Sequence, residues 1–171
     1  MKNLNLILFS VLFFISSLSA SSQIISGING IAFGRNFGNR SNIEDNFKTG
    51  NESFSLTERN DTIVVWLVSP GSRIALTFFN YCFVGSDEIY SATISKPLYD
   101  VFRKRYAEFC QLGYNVSSNN ADILRYTDSN NNYAALQFVK DYLYISLHSK
   151  LFMESSIYNN FTIANYIDEM P

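Results

Sequence analysis

The run Tyr133-Ala134-Ala135-Leu136-Gln137-Phe138-Val139-Lys140-Asp141-Tyr142-Leu143-Tyr144-Ile145-Ser146-Leu147-His148 decides the fold. Apolar and polar residues alternate on both sides of Lys140-Asp141, so a two-residue loop there folds residues 142–148 back on 133–139. That register pairs Phe138 with Leu143, Leu136 with Ile145 and Ala134 with Leu147 on one face. The other face pairs Val139 with Tyr142, Gln137 with Tyr144, Ala135 with Ser146 and Tyr133 with His148. A slip of one residue would exchange the two faces, which fixes the register. Working backwards, a five-residue loop over 128–132 brings 122–127 alongside, with Leu124 and Tyr126 on the core side and Arg125 and Thr127 on the other. A two-residue loop would bury Arg125.

Upstream of this meander the spacing predicts a helix over about 97–112. Pro97 suits a first turn, Leu98, Val101, Phe102, Phe109 and Leu112 share an arc, and Gly113 stops the run. Extended signals precede it: Ser53 to Glu58, then Ile63 to Val68, whose unbroken apolar character reads as a strand covered on both faces. After Pro70-Gly71-Ser72, residues 74–84 read as one strand. Gly85-Ser86-Asp87 reads as a turn, and Glu88 to Ile94 as a further strand. Ser41-Asn42-Ile43-Glu44 has capping-box spacing and opens a short helix over about 42–49 that Gly50 ends. Together these elements give an α+β domain, an antiparallel meander sheet with one main helix packed on it and a short N-terminal helix.

The N-terminus reads as an export signal. Lys2 is followed by an apolar run from Leu6 to Ile15, too short to span a bilayer as a retained helix, and then by the small residues 16–22. Cleavage after Ser22, or after Ala20, suits that tract. A cut after Ser22 leaves 149 of the 171 residues and removes one cation, moving the formal charge from −2 to about −3. One domain over 23–150 can bury its own core at this length, with 151–171 as a C-terminal segment that has some helical character. The product would be periplasmic or secreted. A mildly acidic chain whose only dense basic run, Arg103-Lys104-Arg105, reads as a helix surface is a poor nucleic-acid binder, and no second apolar stretch approaches a membrane span.

Chemistry-bearing residues are few. One His and two Cys cannot furnish a zinc shell, and no nucleophile elbow, phosphate loop or dinucleotide turn is present, so no metal and no cofactor are expected. In an oxidising compartment Cys82 and Cys110 are either bridged or two buried thiols. A bridge would close a loop of about 29 residues, for which chain entropy gives about 3.5 kcal/mol. The candidate binding face is Arg125, Tyr133, Gln137, Tyr142, Tyr144 and His148, since Tyr and Arg combine apolar area with hydrogen-bonding ends. The C-terminal segment or a helix could instead cover that face. The favoured function is an exported, non-enzymatic module that binds a protein or peptide. The alternatives are a small secreted hydrolase or glycan-active enzyme using His148 or a carboxylate pair, and a structural envelope component.

The layout from Phe33-Gly34 through the capped helix, the strand meander, the Tyr- and Phe-rich helix and the closing three strands resembles exported bacterial beta-lactamase-inhibitor-protein-like domains. It is also similar in style to outer-membrane-assembly small lipoproteins, although this chain lacks their lipidated Cys and has one short N-terminal helix rather than a pair. The resemblance implies a helix-on-sheet domain that acts by binding proteins, and it assigns no site residue.

Overall fold

The computed structural model describes residues 25–28, 30–48, 53–112, 116–118, 121–139 and 141–155. Residues 1–22, read above as an export signal, the Gly50 and Gly113 stops and the chain after Ser155 lie outside the described residues. Fourteen elements follow one another among the described residues. A small ribbon, β1 (Gly27–Ile28) with β2 (Ile31–Ala32), leads to α1 (Arg40–Phe47). Four strands come next: β3 (Ser53–Arg59), β4 (Thr62–Ser69), β5 (Ser72–Phe79) and β6 (Cys82–Tyr90). The long helix α2 (Ala92–Phe109) then crosses to β7 (Gln111–Leu112), β8 (Val116–Ser118), β9 (Ala121–Thr127), β10 (Tyr133–Val139) and β11 (Tyr142–His148). A single-turn helix, α3 (Lys150–Glu154), closes the described chain.

Strands β3 to β11 form one antiparallel sheet in the order β3-β4-β5-β6-β11-β10-β9-β7, with β8 also paired to β9. Two meanders, each built by hairpins, are therefore joined along a single line where β6 meets β11. The β10–β11 register is the one expected from the alternation, from Tyr133 opposite His148 to Val139 opposite Tyr142. The long loop likewise puts Ala135 opposite Arg125 and Leu136 opposite Leu124.

Three expectations need correction. Residues 74–84 are not one strand, because the chain reverses at Asn80-Tyr81, where both residues have positive φ (48° and 61°). That pair of left-handed residues makes a two-residue hairpin turn whose twist suits the flanking strands. Gly85-Ser86-Asp87 then lies inside β6 rather than in a turn, with Val84 as the extra residue between the Phe78–Phe83 and Thr77–Gly85 pairs. The main helix starts at Ala92, not at Pro97, and ends at Phe109. Its first turn survives the β-branched Thr93 and Ile94 because Ile94 and Ser95 donate their N–H groups to the Ser91 carbonyl, and the Ser95 hydroxyl donates to the Asp141 carbonyl at 2.7 Å. At the other end Gln111 and Leu112 leave the helix to pair with Thr127 and Tyr126 of β9. A smaller shift concerns α1, which Asn39 caps by accepting from the Asn42 N–H at 2.9 Å, in place of the expected Ser41 box.

One sheet face carries two hydrophobic clusters. Leu98 and Tyr106 of α2 pack on Tyr126, Ala134, Leu136, Leu143 and Ile145, and Ile43 of α1 packs with Phe37 on Ile63, Val65, Phe78 and Phe83. Phe33 touches both clusters and so bridges the two halves of the core. The cysteines are free thiols and no disulfide joins them. Cys110 packs against the cluster under α2, whereas Cys82 neighbours Phe83 in β6 and, by strand alternation, faces away from the core side. Burial pushes the Cys110 thiol up to about 11, which keeps it protonated and unreactive at neutral pH.

The start of the described chain is tied to the β9–β10 loop by a buried knot. Asp128 accepts the Ile25 N–H at 3.3 Å and the Asn132 N–H at 2.9 Å. Asn132 donates from its amide to the Ile25 carbonyl at 2.9 Å and accepts the Lys150 N–H at 3.1 Å. Among the described residues no helix is long and apolar enough to cross a membrane.

Candidate functional site

The face opposite α2 is where the polar and aromatic residues gather. Strand pairing sets them in rungs across the sheet. The first rung runs Val64, Thr77, Gly85, His148, Tyr133. The second runs Trp66, Ala75, Asp87, Ser146, Ala135, Arg125. The third runs Val68, Arg73, Ile89, Tyr144, Gln137.

The six expected residues therefore share one face, but their environments differ. Tyr142 is exposed (47 %), and Tyr144, Gln137, Tyr133 and Arg125 are half-buried. His148 is buried at 5 % exposure. Its Nε2 lies 3.2 Å and 3.3 Å from the two Asp87 carboxylate oxygens. The Phe152 ring of α3 meets the imidazole edge-on at 5.2 Å, and Tyr133 stacks on it at 6.2 Å. With the Ser149 N–H donated to the Val84 carbonyl and the Ser149 hydroxyl accepting from the Phe152 N–H, these contacts dock α3 on the sheet. Here the imidazole holds α3 against the sheet.

Gly85 makes room for this arrangement. A Cβ there would lie 2.7 Å from His148 Cδ2 and 3.1 Å from the Leu147 carbonyl oxygen. The ring has little freedom to retreat, being held by Asp87, Phe152 and Tyr133. Gly85→Ala is therefore expected to cost about 2 kcal/mol of unfolding free energy, read by urea denaturation. A change under about 0.5 kcal/mol would show that the ring is loosely held.

Sequence reasoning missed half of this face. Trp66, Arg73, Thr77 and Asp87 belong to the first meander and reach the others only through the β6–β11 pairing, which joins strands distant in sequence and has no local signal. Among the buried polar atoms described on this face, Thr77 Oγ1 and Arg125 Nε are two without a hydrogen-bond partner. Buried donors and acceptors are ordinarily satisfied, so both are exceptions to the usual pairing. No group of His, Cys, Asp and Glu that could hold a metal occurs among the described residues.

On the core side a second ionisable group went unnoticed. Glu88 stands between Ile74 and Ile145 on the apolar face and is 2 % exposed. The Tyr90 and Ser86 hydroxyls donate to its two oxygens. Burial pushes its carboxyl up to about 7, against the partial relief those hydrogen bonds give. Comparison with family models, curated proteins and solved structures returned no match.

Proposed function

We propose that this chain is an exported binding domain that uses the sheet face opposite α2 to hold an extended segment of a protein. The observation that carries the reading is the third rung, where Arg73 is exposed and Ile89, Tyr144 and Gln137 are half-buried in one line, beside the unsatisfied Arg125 Nε. Aromatic and aliphatic area flanked by two guanidinium groups suits a peptide with apolar side chains and carboxylates, because Arg binds carboxylate through paired donors. The layout resemblance to inhibitor-type exported domains supports the same reading.

The test is selection from a displayed library of random peptides on the immobilised full chain, repeated on Tyr144→Ala and Arg73→Ala. Enrichment of acidic peptides with aromatic or aliphatic residues is expected on the wild type, and at least a tenfold loss of affinity on each variant, about 1.4 kcal/mol. Absence of enrichment, or undiminished binding to folded variants, would remove this face as the site.

A further inference from the structure

Beyond the identity of an outside partner, the face carries a sign of what occupies it in the chain by itself. Val64, Trp66 and Ala75 are buried, at 3 %, 9 % and 4 % exposure, and form a cluster separate from the two cores on the opposite face. All three belong to β4 and β5 and point to the same side, with Trp66 directly opposite Ala75. Side chains on one face of a sheet stand next to one another, so they cannot bury each other from above. Something must lie over Trp66.

We infer that the occupant is residues 156–171 of the same chain, so that this segment is the resident ligand of the face and an outside peptide must displace it; the displacement rests on the binding reading above. The chain is delivered to the right place. Phe152 of α3 lies against His148 on this face, and Ser155 ends the helix by donating its N–H and hydroxyl to the Phe152 carbonyl at 3.1 Å and 2.6 Å. Ser155 itself is extended (φ −75°, ψ 148°), so the helix stops there.

From β11 to β4 is three strand spacings, about 15 Å, and sixteen extended residues reach about 50 Å. The chemistry also matches. Residues 156–171 carry Ile157, Phe161, Ile163 and Tyr166 for the apolar cluster, and their only charged side chains are Asp168 and Glu169, facing a surface with Arg73 and Arg125. The other terminal segment arrives on the wrong side, because Ile25 packs into the cluster under α2.

Trp66 is the sole tryptophan, so its fluorescence reports directly on the cover. The experiment compares acrylamide quenching of the full chain with that of two full-length variants. One joins Phe161→Asp to Ile163→Asp, and the other joins Asp168→Lys to Glu169→Lys, which spares every apolar side chain. A several-fold rise in the quenching constant and a red-shifted emission are expected in both, reversed by a synthetic peptide of residues 156–171 but not by a scrambled one. If the first variant loses cooperative unfolding, the second decides. Wild-type quenching in the folded variants overturns the inference, as does protection of Trp66 that grows with protein concentration, which would identify a second copy as the cover. Library peptides distinguish the two proposals: they bind more tightly to the variants if both hold. Equal binding with unchanged Trp66 sinks only the resident segment, and exposed Trp66 without peptide binding sinks only the partner.

Discussion

Replacing Asn132 by alanine is expected to lower the unfolding free energy by about 3 kcal/mol, because two backbone groups lose their partners together and the buried Asp128 Oδ2 is left with the Ile25 N–H alone. The Ile25 carbonyl loses its donor, the Lys150 N–H loses its acceptor, and Asp128 Oδ2 loses the amide contact at 3.3 Å. Asn132 thus ties the start of the domain, the β9–β10 loop and α3 at one point. Asn132→Asp should be no milder. It keeps an acceptor for Lys150 but removes the donor to Ile25 and sets a second carboxylate against Asp128. Urea unfolding of the three proteins settles the matter, and a loss below about 1 kcal/mol in the alanine variant would mean that solvent replaces these bonds.

The second large effect is a dependence of stability on pH traced to Glu88. Its carboxyl ionises near 4.5 in the unfolded chain and near 7 in the folded protein. Between those values the folded state holds a proton that the unfolded chain has released, so the contribution is full below about pH 4.5. It is lost as the pH rises through 7. The span corresponds to about 3 kcal/mol. Glu88→Gln keeps the size and a hydrogen-bonding end for Tyr90 and Ser86 but cannot ionise. Subtracting its pH profile from that of the wild type isolates Glu88 from His148, which sits on the opposite face of the same pair of strands. The difference should favour the wild type progressively less from pH 5 to pH 8, and parallel profiles would falsify the assignment.

The two readings of sequence fared differently for physical reasons. The closing meander was legible residue by residue because its alternation is uninterrupted and its loops are short, so local pattern and tertiary register coincide. The first meander was not. Its Asn80-Tyr81 reversal puts tyrosine where a hairpin turn ordinarily has glycine, and a strand with Cys82 directly after such a turn reads as a continuation. Glu88 escaped notice because a carboxylate in the middle of a strand is normally an outward-facing residue, and only the Ile74 and Ile145 pairings reveal that it points inward. For the site, Arg125, Tyr133, Gln137, Tyr142, Tyr144 and His148 could be aligned because they lie in one meander. Trp66, Arg73 and Asp87 could not, since their place beside that stripe depends on which two distant strands meet. The thiols illustrate the same limit: a bridge or two buried groups were expected, whereas both are free and half-buried and Cys82 faces away from the core, a direction that depends on where β6 begins.

The single line along which β6 meets β11 also shapes how the molecule assembles. Every other strand pairing in the main sheet except those of β7 links neighbours along the chain, which form quickly and cheaply because little chain must be immobilised to make them. The β6–β11 contact instead closes a loop that holds α2 and the whole second meander, with Tyr90 opposite Leu143 at one end and Gly85 opposite His148 at the other. Each meander can then form from local contacts, and their zipping together is expected to be the slow event, read as the dominant phase in stopped-flow refolding. Until that moment both halves present a raw strand edge, so the interval before closure is when the chain is most prone to pair with another copy of itself.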